Sequence, residues 1–242
     1  MTIKIAVPTH GRSDTILEKV LFLVSWLWYE VTLFANPKGE KEKYEQLLGP
    51  AYNIVEIDTF TTMGTLRNEI LAHYSEWEKV LMIDDDIWTL YKVFCNKLFQ
   101  LTKDEIRDLI EQGFGMCEVS WYKLRWLYPS SNSMCMKDMI KYDKFIIGCF
   151  MWIIKSDITF DEKINCKEDY DFTIQNIVKF WGAIRFEWVC TDNKYAITKW
   201  GLQSVERESN HWKDIARLKQ KRGNLIKDNP KRPNEILLNF KK

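Results

Sequence analysis

Apolar positions along the first hundred residues switch repeatedly between a period of two and a period near 3.6, the spacings of half-buried strands and amphipathic helices. Residues 3–7 predict a short buried strand ended by Pro8, and residues 14–28 carry apolar side chains at helical spacing. A second strand is expected at 31–34 and a second helix at 41–48. The unit then recurs: strand-like 53–57, helical 63–74 behind a threonine cap, and a strand at 79–83 that runs into Asp84, Asp85 and Asp86. This alternation implies an α/β fold, a mixed, mostly parallel sheet flanked by helices, with ligands near the carboxyl ends of its strands.

The second half is less regular. Residues 102–117 read as a helix, while 119–128 alternate Trp121, Lys123 and Arg125 against Tyr122, Leu124 and Trp126, as a half-exposed strand would. A buried strand is expected at 145–154, a helix at 168–180, a strand at 183–189 and a polar helix at 206–223. No repeat, low-complexity stretch or linker interrupts the 242 residues, so a single domain with a basic C-terminal extension is expected.

Composition narrows the classes. At 46% hydrophobic and 14% aromatic the chain can bury a core, and 35 Lys and Arg against 34 Asp and Glu leave a charge of +1, so a charged partner must meet a local patch. Positive charge gathers at the end, where residues 213–242 hold ten basic and three acidic side chains. Lys213, Arg217 and Lys221 recur every four residues and share one helix face, suited to a phosphate backbone or simply to solvation. Lys123 and Arg125 stand among aromatics, a mixture that stacks on bases or packs in a core. The longest apolar stretches, 20–29 and 145–154, are half of the about 20 residues a spanning helix needs. The first residues also lack the pattern of a secretory signal. Six cysteines without a CxxC pair argue against a zinc cluster or a disulfide framework. A soluble protein with free thiols in a reducing cytoplasm, without a membrane partner, is the expectation.

The most informative feature is VLMIDDDI, three carboxylates at the end of an apolar strand, costly beside a core unless a cation or solvent takes them. An extended backbone would point Asp84 and Asp86 the same way, toward one Mg²⁺ or Mn²⁺ ion shared with a diphosphate, and Asp85 away from them. An acidic turn open to solvent is the plain alternative. A second cluster, Glu168, Asp169 and Asp171, stands at a helix start, either as cap and dipole partner or as a general base with an acceptor-holding neighbour. The loop 9–12 follows the first strand, where a nucleotide is received in such sheets. No GxxxxGK[ST] or GxGxxG occurs, which lowers ATPase and NAD-dependent dehydrogenase readings. Arg67, early in a helix, suits a bidentate phosphate contact or a pair with Glu69. Of the three histidines, His73 reads as structural, His10 is undecided and His211 is a candidate imidazole ligand.

Taken in order, IAVPTHGR, GTLRNEIL, VLMIDDDI and KEDYDF resemble a nucleotide-sugar-dependent glycosyltransferase of the GT-A fold over roughly residues 1–190. More narrowly, the RN before a DDD strand and the KEDYDF element look like the TET-associated glycosyltransferases and their bacteriophage relatives, which are thought to decorate hydroxylated DNA bases. The resemblance implies a nucleotide-sugar-binding half at 1–100, an acceptor half at 101–200 and the basic extension at 201–242. It implies that Pro8, Thr9 and Arg12 lie by the nucleoside and that Arg67 meets the sugar or diphosphate. Asp84 and Asp85 would then serve donor binding, with Asp84, Asp86 and His211 on the metal. Asp169 would be the base, with Glu168 the other candidate. The expected cofactors are a divalent metal (Mn²⁺ or Mg²⁺) and a nucleotide-diphosphate sugar, with UDP as carrier. The expected acceptor is a 5-hydroxymethylated pyrimidine in duplex DNA, contacted by Lys123, Arg125, Lys213, Arg217 and Lys221, and the setting is the host cytoplasm if phage-encoded. A glycan, lipid-linked or protein acceptor is the alternative. A nucleotidyltransferase or a non-catalytic nucleic-acid-binding domain stands further off.

Overall fold

Alternating apolar residues assemble one twisted ten-stranded sheet in the order β3-β2-β1-β4-β9-β7-β10-β5-β6, with β8 also on β10. The structure is a computed structural model that describes residues 2–36, 39–57, 61–191 and 205–240, with 205–209 as backbone alone. Strands β1 (Ile3–His10), β2 (Glu30–Asn36), β3 (Asn53–Glu56) and β4 (Lys79–Ile83) are parallel neighbours joined through α1 (Val20–Val24), α2 (Glu40–Leu48) and α3 (Met63–Ala72). Antiparallel β9 (Phe150–Ile154) separates β4 from β7 (Leu124–Tyr128), and β10 (Ile184–Thr191) lies parallel to β7. The hairpin β5 (Leu90–Phe94) and β6 (Lys97–Gln100) closes one edge, and the short β8 (Ile140–Lys141) pairs with the start of β10. Seven of the ten strands therefore run one way. The expected mixed, mostly parallel α/β architecture is the one observed.

Helices α4 (Lys103–Ser120) and α5 (Glu168–Phe180) follow the first hundred residues. Thr102 starts α4 through a reciprocal capping box with Glu105. The main core runs along the whole sheet, from Ile5, Leu33 and Leu81 to Trp126, Trp152 and Phe186. A smaller one gathers Ile164, Tyr170 and Ile174 with Ile215 and Leu218 of α6 (Val205–Arg222), Ile226 of β11 (Ile226–Asp228) and Ile236 of β12 (Ile236–Leu238).

Several boundaries differ from expectation. Pro8 sits inside β1 rather than ending it, because the β4 ladder stops at Ala6 and the missing N–H falls where β1 keeps a partner on one side only. Residues 14–28 bury the expected face through Ile16, Val20, Leu23, Val24 and Leu27, yet only five residues form regular helix. Amides there find carbonyls three residues back (Thr15 to Arg12) and five back (Leu21 to Ile16) as well as four, which breaks the ladder. Residues 119–128 are not one half-exposed strand: Val119 and Ser120 finish α4, and β7 is buried on both faces. Only 150–154 of the apolar run 145–154 is strand. No disulfide joins any of the six cysteines; three of them are buried, with Cys95 and Cys135 exposed and Cys166 between. No described helix is long and apolar enough to cross a membrane.

Candidate active site

The chain leaves β1 at His10 and turns at Gly11, whose φ of +60° favours glycine. Thr9 Oγ1 donates to Asp85 Oδ2 at 2.9 Å and meets the Tyr44 hydroxyl at 2.7 Å. Tyr44 in turn accepts from the Arg12 amide at 3.2 Å, fixing the loop against α2. Arg12 Nη1 lies 2.5 Å from Asp85 Oδ1 and 3.4 Å from Asp86 Oδ2. Asp85 therefore does not turn away from the loop, and the reason is local. The strand ends at Ile83 and Ile87 N donates to Asp84 O at 3.3 Å, so residues 84–87 form a turn in which strict alternation no longer holds. Asp85 and Asp86 share Arg12, while Asp84 faces inward.

Inside the fold, Asp84 meets the residues that α3 and α5 deliver. Thr62 caps α3 through the Thr65 amide, and Arg67 projects from its buried face. The Arg67 guanidinium is buried, with Nη1 2.8 Å from Glu168 Oε1 and Cζ 5.5 Å from the Phe160 ring centre. Asn68 holds that ring's loop by accepting from Phe160 N at 2.8 Å and donating to Phe160 O at 3.0 Å. Gly148 permits the packing, since a Cβ there would stand 2.0 Å from Arg67 Nη1. Its amide donates to Asp169 Oδ2 at 3.3 Å, and the Cys149 carbonyl accepts from Asp84 N at 2.9 Å. The loop 145–149 is thus the floor of the site, not strand.

Burial dominates the electrostatics. It pushes Asp84 up to about 7, against the pull of Arg67 and with added repulsion from Asp86 and Asp85. It likewise raises Glu168 and Asp169, with Glu168 adding to the rise at Asp169 and Arg67 opposing both. Arg67 stays charged: burial works against it, but Glu168, Asp84 and Asp169 more than offset the cost. One buried cation among three carboxylates leaves room for a held proton or a second cation. Asp84 Oδ1 is buried without a hydrogen-bond partner among the described residues.

The third acid of the α5 cluster does something else. Asp171 is fully buried and ion-paired to Arg222 at 2.6 Å and Lys221 at 3.0 Å, so it anchors α6. The C-terminal segment is accordingly a buttress for the start of α5 rather than an extension. Lys167, directly before Glu168, is buried against Glu235 at 3.1 Å, and the Tyr170 hydroxyl donates to the same carboxylate at 2.8 Å.

The residues expected to touch DNA are mostly engaged elsewhere. Lys123 is buried with Nζ 3.8 Å from the Trp77 ring centre, and Arg125 is fully buried against Phe186 and Trp152. Neither lies open to a phosphate backbone: Arg125 belongs to the interior strand β7, and Lys123, just before it, is covered by Trp77. Arg217 and Lys221 pair with Asp161 at 3.3 and 2.9 Å, leaving Lys213 exposed. Lys241, Lys242 and residues 192–204 lie outside the described residues. His211 stands on α6 beside Asp214, and among the described residues no three His, Cys, Asp or Glu side chains are grouped to hold a metal, so Asp84, Asp86 and His211 do not form the expected triad. Arg67, expected at the donor, is enclosed by carboxylates. Tyr44 and Gly148 escaped the sequence reading; a glycine inside the apolar run IIGCF was the available signal for close approach, and Tyr44 had none.

No family model and no curated protein sequence matches the chain. Solved structures do. Fragment 1–349 of TarS from S. aureus aligns over 77% of this chain at 15% identity with a TM-score of 0.52. This chain spans 58% of that fragment's length. A protein of Desulfovibrio desulfuricans described as a nucleotide-diphospho-sugar transferase aligns over 77% of this chain and 79% of its own at 11% identity, TM-score 0.44. The glycosyltransferase GlyE of Streptococcus pneumoniae aligns over 90% and 50% at 11% identity, TM-score 0.38. At these identities the likeness to TarS is one of fold.

Proposed function

We propose that this chain transfers a sugar from a nucleotide-diphosphate sugar to an acceptor hydroxyl, with Asp169 as the base. The observation that carries the reading is the Arg67 cluster. It sets Asp84, Glu168 and Asp169 around one buried guanidinium at the carboxyl end of β4, where a sheet of this kind receives its ligand. A carboxylate whose proton affinity is raised by burial is a stronger base than a solvated one. Asp169 would take the acceptor proton as the acceptor oxygen bonds to the anomeric carbon and the bond from that carbon to the diphosphate oxygen breaks, with inversion. Arg67 positions Glu168 and Asp169. Arg12, in the 9–12 loop with a side chain 17% exposed, is the cation better placed for nucleotide charge.

The donor set also fits a hard divalent cation. Asp84 offers a buried oxygen without a hydrogen-bond partner among the described residues, and Asp86 a half-buried carboxylate beside Arg12. Mn²⁺ or Mg²⁺ held by these two would offset charge on the departing diphosphate. For the acceptor, the burial of Lys123 and Arg125 and the pairing of Arg217 and Lys221 favour a glycan-type hydroxyl over a hydroxymethylated base in DNA. Six cysteines without a disulfide among them support a reducing, cytoplasmic setting.

The test is incubation with Mn²⁺ and a panel of nucleotide sugars, alone, with glycan acceptors, and with duplex DNA containing 5-hydroxymethylcytosine or 5-hydroxymethyluracil, read by mass. A sugar increment on one acceptor, or slow hydrolysis of one donor, abolished by Asp169→Asn, is the expected result. Silence toward every donor, or full activity in the variant, would overturn the proposal. An increment on the DNA bases would move the acceptor back to nucleic acid.

A further inference from the structure

The end of the sheet opposite the Arg67 cluster holds chemistry that sugar transfer leaves unused. Helices α1, α3, α4 and α5 each return there toward a strand, and each return carries a tryptophan in the left-handed region: Trp28, Trp77, Trp121 and Trp181, with φ of 60°, 73°, 63° and 66°. Their strands β2, β4, β7 and β10 all run the same way, so the four rings stand at one end of the sheet, before the amino ends of those strands. They are 94, 51, 73 and 88% exposed. A bulky side chain in that backbone region is strained, and a large exposed ring gains little from folding, so a row of four is unfavourable on both counts.

Within this row, between Trp77 and Phe180, lies a cavity of about 300 Å³ lined also by Lys123, Lys155 and Lys179 and by Glu76, Ser156 and Asp157. Lys179 is ion-paired to Asp157, and Lys155 Nζ donates to the Ser156 carbonyl at 2.7 Å. Lys123 differs from both. It is 5% exposed and has no hydrogen bond or ion pair among the described residues, only the Trp77 ring at 3.8 Å and the Phe180 ring at 6.0 Å from Nζ. Glu118, the acid that acts on it through space, is taken by Lys79 at 2.8 Å. Aromatic faces offset part of the cost of burying an ammonium, and an oxyanion would supply the remainder.

We propose that this cavity is a binding subsite for an oxyanion, phosphate or carboxylate, borne on an apolar body that packs between Trp77 and Phe180. The charge is fixed by Lys123 with Lys155 beside it, and the apolar body by the two rings. The subsite is remote from the transferase centre and stands whether or not that reading holds. A soluble metabolite and a phospholipid headgroup share this chemistry, so two arms separate them: titration with phenyl phosphate, and binding to phosphatidylcholine vesicles with and without phosphatidic acid, both followed by tryptophan fluorescence.

Saturable binding in either arm, weakened roughly tenfold or more by Lys123→Met, supports the subsite and names its source. Lys123→Met keeps the apolar stem and removes an unpaired buried charge, so its melting temperature should equal or exceed that of the unaltered protein, with sugar transfer unchanged. Lys155→Gln and Trp77→Leu give the same reading through separate wall residues should that variant fail to fold. No binding in either arm, or affinity untouched by all three substitutions, would overturn the proposal.

Discussion

Asp169 owes its raised proton affinity first to burial and then to Glu168 beside it, and that has a measurable consequence for stability. The folded pKa stands above the ordinary 3.8, so the folded state binds more protons than the unfolded one from there upward, and stability is lost as pH rises toward neutrality and beyond. Asp169→Asn cannot ionise. Its melting temperature should gain on the unaltered protein between pH 4 and pH 8, while transfer falls by about 10²-fold or more. A melting difference that does not change with pH would sink the assignment. Gly148 gives a second test at this scale. A methyl group there meets Arg67 at 2.0 Å, so Gly148→Ala should displace the guanidinium, cost about 1–3 kcal/mol in thermal unfolding and lower kcat/KM with it. An alanine variant of normal stability and rate would show that Arg67 is not held there. Asp85 shows the limit of reading single residues: its type and place were legible, but its partner Arg12 lies 73 positions away.

At the scale of elements, α6 and the β11–β12 hairpin are joined to α5 by charge as much as by apolar contact. Asp171 is fully buried between Arg222 and Lys221, and Glu235 takes Lys167 and Tyr170 at the point where α5 begins. Asp171→Asn leaves Arg222 without its carboxylate, while Lys221 keeps Asp161, and should cost about 2–4 kcal/mol, discounted from a fully buried pair because both cations reach solvent. Limited proteolysis should then release a C-terminal fragment earlier than in the unaltered chain. Equal cleavage rates would mean that Ile215, Leu218 and Ile226 suffice. The helix at 168–180 and the strand at 79–83 were legible to the residue, because each has a clean period and a sharp polar boundary. The hairpin at 90–100 was not: its strands are short and half-exposed, and its turn uses Cys95 and Asn96 at positive φ instead of an Asn-Gly pair.

For the whole molecule, the sheet is the unit. β4, the last strand of the first βαβ series, pairs with β9 from residue 150 onward, and the β5–β6 hairpin pairs with β10. A nucleotide-binding half cut at residue 100 would expose Val80, Leu81 and Met82 along an unpaired edge and lose the far half of the core. Residues 1–100 expressed alone should therefore show no cooperative unfolding by circular dichroism. A sigmoidal melt would reveal two independent units instead of one domain.

Sequence by itself determined the alternation of strands and helices, the direction of the sheet and the acids at the ends of β4 and the start of α5, because periodicity and polarity are local properties that neighbours in the chain reveal. It could not decide which cations those acids meet. Lys123 and Arg125 read as surface charge from an alternating pattern, yet Arg125 lies on β7 between β9 and β10 with both faces covered, and Lys123 just before that strand is buried under Trp77. Arg217 and Lys221 read as a free basic face until Asp161 and Asp171 close on them. Pairing of charges and burial of a strand depend on residues far apart in the chain, brought together by packing, and only the tertiary structure supplies that neighbour list.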